Sequence, residues 1–174
     1  GDATDDSVSG TASADVIYAL GGNDTIDGGD GIDTIYAGSG DDRIAFDTTS
    51  ADIVDGATGT DVIAFEDAGT FDFTSSTLLE ADNVEIFELG AGDQDITLNG
   101  VNVADFITGT SDVADIVAYQ GKQLLVVDSD DGNDTLTLNG TWTNVGSTTV
   151  NSGGDSFSVY YDSVNDVYVA TDLV

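Results

Sequence analysis

GGDGIDTIY, residues 28–36, decides how this chain is read. Two glycines, a third two places on, an aspartate and an aliphatic residue two positions after it make the pattern G-G-x-G-x-D-x-U-x, where U is aliphatic. The same phase runs outward through GTASADVIY (10–18), ALGGNDTID (19–27), AGSGDDRIA (37–45), DTTSADIVD (47–55) and GATGTDVIA (56–64), with Phe46 as a one-residue insertion. The repeating acids are Asp15, Asp24, Asp33, Asp42, Asp52 and Asp61. Two residues after them stand Ile17, Ile26, Ile35, Ile44, Val54 and Ile63. A short fixed period is the mark of a stacked solenoid. Small residues let each turn close tightly, and alternation such as Val16-Ile17-Tyr18 fits a short strand with one buried face. Two nonapeptides make one 18-residue coil, so alternate repeats share an edge. Asp15, Asp33 and Asp52 line one side, and Asp24, Asp42 and Asp61 the other.

Carboxylates stacked at strand spacing, about 4.8 Å, repel one another. A bridging divalent cation reverses the sign. Ca2+ takes roughly six to eight oxygen ligands and accepts backbone carbonyls as readily as carboxylates. Over residues 10–64 the chain closely resembles the RTX (repeats-in-toxin) Ca2+-binding nonapeptide family. The resemblance implies a parallel β-roll in which each Ca2+ lies between one loop and the loop a coil later, held by motif aspartates and loop carbonyls. Carried onto this chain, the ligands are Asp15, Asp24, Asp33, Asp42, Asp52 and Asp61 with the carbonyls of Gly22, Gly28, Gly31 and Gly40. The implied pairs are Asp15 with Asp33 and Asp24 with Asp42, then Asp33 with Asp52 and Asp42 with Asp61. The repeat 47–55 lacks both glycines and so departs from the pattern, while Thr11 and Ser13 replace glycines in 10–18, as suits a capping coil. Asp27, Asp30 and Asp41 read as further ligands or, the favoured alternative, as solvated loop charges. Arg43 reads as a surface partner of Asp41 and Asp42.

Composition narrows the function from the other side. The 174 residues hold 34 Asp plus Glu, of which only Glu66, Glu80, Glu85 and Glu88 are Glu, against Arg43 and Lys122, for a formal net charge of −32. Such a chain cannot neutralise a nucleic-acid backbone or dock on an anionic bilayer. With no His, Cys or Met, triad catalysis is excluded, and zinc, copper and haem sites lose their usual ligands and are not expected. No apolar run approaches the roughly 18–20 residues of a membrane span. The opening GDATDD has neither the basic nor the apolar region of a signal peptide, and with no initiator Met the chain reads as a piece of a longer protein. Self-repulsion opposes compaction, although 40% apolar residues, including seven Phe and six Tyr, argue against permanent disorder.

Beyond residue 64 the period loosens. VEIFEL (84–89), DITLNG (95–100), ADIVAY (114–119), KQLLVVD (122–128) and DTLTLNG (134–140) read as strands, and TLNG recurs at 97–100 and 137–140. Helical turns are expected at Ser76–Ala81 and Val101–Phe106, each with a capping Ser or Asn. The turn DSDDGND (128–134) is a candidate Ca2+ loop through Asp128, Asp130 and Asp134, though it lacks the acidic twelfth residue of an EF-hand. Trp142 and the Tyr160–Tyr161 pair read as packing residues. The expected fold is all-β: a parallel β-roll (β-solenoid) with Ca2+-bound turns over 1–65, an irregular β-solenoid extension over 66–150, and a C-terminal β cap over 151–174 that also holds a possible secretion signal.

The order of strands and turns from about residue 80 to 174 is similar to the C-terminal region of large bacterial adhesins that carry RTX repeats. This implies a module that folds on extracellular Ca2+ and supports type I secretion, with the ABC transporter, adaptor and outer-membrane channel as partners. It also implies a place in the secreted or cell-surface fraction of a Gram-negative bacterium, and biofilm adhesion by the parent. The chain is expected to be monomeric and non-enzymatic, with no nucleic-acid partner and no membrane insertion by this segment. Alternatives are the RTX module of a secreted enzyme, and a glycan- or ice-binding surface. Ice binding would want a regular Thr row, which breaks where Thr25 and Thr34 give way to Arg43.

Overall fold

The computed structural model describes residues 1–46, 51–74, 79–91, 93–100, 103, 106, 124–129, 134–149 and 156–173. Their strands form three sheets. The longest has nine strands in the spatial order β1 (Ser7–Ser9), β3 (Thr25–Asp27), β5 (Arg43–Phe46), β7 (Val62–Phe65), β10 (Ile86–Leu89), β12 (Leu124–Ser129), β16 (Val167–Thr171), β15 (Ser156–Asp162) and β14 (Trp142–Thr149). Facing it lies β2 (Val16–Gly21), β4 (Thr34–Ser39), β6 (Asp52–Thr58) and β9 (Leu79–Asp82). A third sheet holds β8 (Gly69–Asp72), β11 (Gln94–Asn99) and β13 (Thr135–Asn139).

All pairings from β1 to β13, and that of β12 with β16, are parallel, as a coiling chain requires. Odd and even repeats occupy opposite sheets: β2, β4 and β6 follow Asp15 and Asp33 and begin at Asp52, while β3, β5 and β7 follow Asp24, Asp42 and Asp61. The expected parallel β-roll is therefore present. β15 pairs antiparallel with both β14 and β16, which forms the expected β cap.

Inward side chains at alternate positions of the short strands build the core. Ile17, Ile26, Ile35, Ile44, Val54 and Ile63 are all buried and stack directly, Ile17 on Ile35 and Ile26 on Ile44. Phe46, the inserted residue, is the last residue of β5, buried and in register with Phe65. From there the filling changes from aliphatic to aromatic. Phe65 lies at 4.8–6.2 Å from the rings of Phe46, Phe71, Phe73 and Phe87, and Phe106 closes on Phe73 and Phe87. The third sheet begins at this level, so the two-sided roll becomes three-sided and its wider interior takes rings. The TLNG echo is a register: Thr97, Leu98 and Asn99 lie opposite Thr137, Leu138 and Asn139.

One expectation needs correction. Leu79–Asp82 is strand, not a helical turn, because Asp52–Asp55 of β6 pair with it and Val54 lies opposite the buried Ala81. Tertiary pairing here overrides the local capping signal. At the second expected turn, the described residues Gly100, Val103 and Phe106 are helical. ADIVAY lies outside the described residues. No helix among the described residues is long and apolar enough to cross a membrane. Trp142 is partly buried against the main core, and Tyr161 stacks on Tyr168 at 4.6 Å, so both act in packing.

The outward face of the four-stranded sheet is apolar at Val16, Tyr18, Leu20, Tyr36 and Ile53, with Tyr18 and Tyr36 stacked at 4.9 Å. Arg43 does not meet Asp41 or Asp42. It reaches along the long sheet to Glu66 (2.9 Å) and Glu88 (3.0 Å), because its outward strand position faces the coils that follow.

Phe65 is the centre of the aromatic packing, so Phe65→Ala should cost about 3–5 kcal/mol in equilibrium urea unfolding at fixed solution composition. A cost below about 1 kcal/mol would mean that the rings do not share a packed core.

Candidate metal-binding ladders

Each motif aspartate connects two coils by one repeated bond. Its backbone N–H donates to the carboxylate Oδ1 of the motif residue one coil later: Asp15 to Asp33 (2.8 Å), Asp24 to Asp42 (2.8 Å), Asp33 to Asp52 (3.0 Å) and Asp42 to Asp61 (2.9 Å). These are the four pairs that the spacing brings together. The donors and acceptors lie 18 or 19 residues apart, one coil each. Asp24, Asp33, Asp42, Asp52 and Asp61 are all buried, and Asp15 is half-buried.

Glycine makes room for this. A Cβ at Gly28 would collide with Oδ2 of Asp33, and one at Gly10 would stand 3.0 Å from Oδ2 of Asp15. The carbonyls of Gly22, Gly28 and Gly40 face the α-carbons of Gly40, Gly10 and Gly59 in the neighbouring coil, so they lie at the same coil-to-coil gaps as the carboxylates. Gly31, at φ +121°, packs on the Ser13–Ala14 peptide.

With Oδ1 engaged, the second oxygen decides the chemistry. Oδ2 of Asp24, Asp33, Asp42 and Asp61 is buried with no hydrogen-bond partner. A buried carboxylate oxygen is costly unless a donor, a proton or a cation satisfies it. Burial, reinforced by the charges of Glu85 and Asp42, pushes the Asp61 carboxyl up to about 8 against the N–H bond from Asp42. Burial likewise raises Asp42, helped by Asp24 and Asp41. Asp15 differs: its Oδ2 already accepts the N–H and the hydroxyl of Thr11, at 2.7 and 2.8 Å.

The ladder is longer than the six predicted aspartates. Asp6 donates its N–H to Asp24 (2.7 Å), and Asp61 donates to Glu85 (2.9 Å) across 24 residues. Asp6 could have been found: GDATDDSVS (1–9) is in phase, with Val8 two residues after it. Glu85 follows a longer coil, which hides it from a period search. One edge also carries an outer ladder, in which Asp5, Asn23 and Asp41 accept the N–H groups of Asn23, Asp41 and Thr60 at 2.8, 3.0 and 2.8 Å. Asp41 is thus a structural acceptor rather than a merely solvated charge. Asp27 accepts the Gly29 N–H (2.9 Å), and Asp30 is exposed.

The second candidate loop is built differently. Asp134 is buried, but Gln94 N–H (2.8 Å) and the Ser129 hydroxyl (2.7 Å) occupy its two oxygens. Asp128 is exposed on β12, and Asp130 lies outside the described residues. Among the described residues no three acidic side chains gather in metal-ligating geometry. A cation in the ladders must therefore draw on backbone carbonyls as well as carboxylates. That all-oxygen set suits Ca2+ and offers nothing to softer metals.

Residues 1–35 and 19–48 match the family described as RTX calcium-binding nonapeptide repeat (4 copies). No curated protein and no solved structure matches the chain.

The raised Asp61 value sets a pH dependence. In a chelator, folding takes up a proton that the unfolded chain releases near the ordinary 3.8, so this contribution is fully present below that value and is lost as the pH rises through about 8. The folded fraction in EDTA, followed by circular dichroism, should accordingly rise on acidification from pH 8 to 5, and Asp61→Asn should flatten the rise. A folded fraction that falls over the same range would contradict it.

Proposed function

We propose, from the match of residues 1–48 to the RTX calcium-binding nonapeptide repeat, that the chain is a module that stays unfolded where Ca2+ is scarce and folds when it meets Ca2+ outside the cell. The observation that carries this reading is the row of buried, unpartnered oxygens on Asp24, Asp33 and Asp42. Each lies on a motif residue joined to its neighbour one coil on, and Ca2+ is held in the gaps 24/42, 33/52 and 42/61 with loop carbonyls completing the shell. The gap 15/33 is weaker, since Thr11 already occupies the Asp15 oxygen.

Metal binding in such a chain is folding free energy. Without it, a net charge of −32 and the stacked acids oppose compaction. With it, stability grows as RT ln(1 + [Ca]/Kd) for each site. A polyanion that will not fold inside a calcium-poor cell remains threadable. This supports export through a type I machine of ABC transporter, adaptor and outer-membrane channel in a Gram-negative bacterium. The strand and turn order of residues 80–174, with its similarity to large RTX adhesins, supports an adhesin as the parent. The chain itself has no catalytic role in this reading: its acids are ladder components and its polar aromatics pack.

The far-ultraviolet circular dichroism spectrum should be that of an unfolded chain in EGTA at pH 7.5 and of a β protein in millimolar Ca2+. Asp42→Asn, which keeps an acceptor for the Asp24 N–H but removes the charge, should raise the Ca2+ midpoint on the order of tenfold. The same folded spectrum with and without Ca2+ would sink the proposal.

A further inference from the structure

The last motif aspartate has no nonapeptide after it, yet its free oxygen still faces a gap. In the loop 10–15, Gly10 lies between Oδ2 of Asp15 and the carbonyl of Gly28 in the next coil. In the loop 56–61 the arrangement recurs with different residues. A Cβ at Gly56 would stand 2.5 Å from Oδ2 of Asp61 and would collide with the carbonyl of Asn83. Asn83 takes the place of a glycine, at φ +56°, and its amide donates to Oδ1 of Asp55 (2.9 Å), which also accepts the Ala57 N–H (3.1 Å). Asp55 thereby ties the two sides of the gap together. Two residues on, Glu85 takes the N–H of Asp61 (2.9 Å) and returns its own N–H to the Asp61 carbonyl (3.1 Å).

Asp61 is 1% exposed, and its Oδ2 has no partner. Glu85, 7% exposed, brings a second buried carboxylate to the same place. Among the described residues, Arg43 is the one basic side chain, and it is committed to Glu66 and Glu88. The buried Oδ2 of Asp61, beside a second buried carboxylate and a carbonyl, is costly until a proton or a cation satisfies it.

We propose that a Ca2+ ion binds between loop 56–61 and turn 83–85, with Asp61 and Glu85 supplying carboxylate oxygens and Asn83 a carbonyl oxygen. The second side of the site, turn 83–85, lies outside any nonapeptide. Its oxygen-only donors and a Glu longer than the usual Asp suit a large, flexibly coordinated cation better than Mg2+, which demands near-ideal octahedral geometry. The ion joins the regular roll to its irregular extension at the point where the coil grows from 19 to 24 residues. The inference rests on the reading that the ladder gaps bind Ca2+.

The test counts ions on the full chain by native mass spectrometry and Ca2+ calorimetry. Glu85→Gln keeps an acceptor for the Asp61 N–H and should lose one ion from the parent count, while Glu88→Gln, whose carboxylate faces Arg43, should lose none. Glu85→Asp draws the carboxylate back by one methylene and should weaken one ion on the order of tenfold, with the rest unaffected. If Glu85→Gln does not fold at saturating Ca2+, Glu85→Asp decides. An unchanged ion count in a folded Glu85→Gln, or unchanged affinities in Glu85→Asp, overturns this site and leaves the ladder reading intact. A parent that binds no Ca2+ overturns both.

Discussion

A buried carboxylate that gives one oxygen to a neighbouring N–H and keeps the other facing a gap is the constraint on which this molecule depends. The first oxygen sets the geometry. Because the bond runs from Asp24 to Asp42, and from Asp42 to Asp61, the coil can be neither longer nor shorter than the chain needs to return to the same edge. The second oxygen sets the chemistry, since it is sealed from water with no donor of its own. A proton or a cation can satisfy it, and the two compete. The aliphatic stack inside adds burial, but each short strand of the roll contributes only a few inward residues, and the stacked acids oppose every turn until they are neutralised.

The two edges are not equivalent. On the edge of Asp24 and Asp42, the residue before each motif acid is polar and makes a second bond in the opposite direction: Asp6 reaches forward to Asp24 while Asn23 reaches back to Asp5. On the other edge those places belong to Ala14, Ile32 and Ala51, which have nothing to accept with. Adjacent coils are therefore clamped twice on one side and once on the other. The roll is not uniform along its axis either. Thr11 occupies the first gap with a hydroxyl, and below Phe46 a third sheet enters and aromatic rings replace the aliphatic stack.

Much of this was legible in the sequence wherever one period governed both backbone and side chain. Asp15 to Asp61 and the residues Ile17 to Ile63 repeat because each coil solves the same problem, so their sides, partners and burial follow from counting. Legibility failed where the return path lengthened. Glu85 performs the role of a motif Asp, but it comes 24 residues after Asp61 and is a different amino acid. Leu79–Asp82 carries a helix-start signal whose weight is small beside an in-register strand waiting at Asp52–Asp55. The partners of Arg43 could not be counted either, because a long side chain on an outward face reaches past its nearest neighbours to Glu66 and Glu88.

The antiparallel cap has a kinetic meaning that the roll lacks. Each ladder bond closes a loop of at least 18 residues, and the bond from Gln94 to Asp134 closes one of 40, which adds about 0.7 kcal/mol of closure entropy by chain statistics. Strands β15 and β16 meet across a four-residue turn, with Asp162 opposite Val167 and its carboxylate bonded to Val164 and Asn165. Contacts that local form on the microsecond scale of hairpins, without waiting for a distant segment or an ion. The other edge of that hairpin, β16, is the strand with which β12 pairs, and through it the rest of the long sheet follows. Residues 156–171 therefore hold the most local strand pairing described in the long sheet, in contrast to the coil-to-coil pairings of the roll.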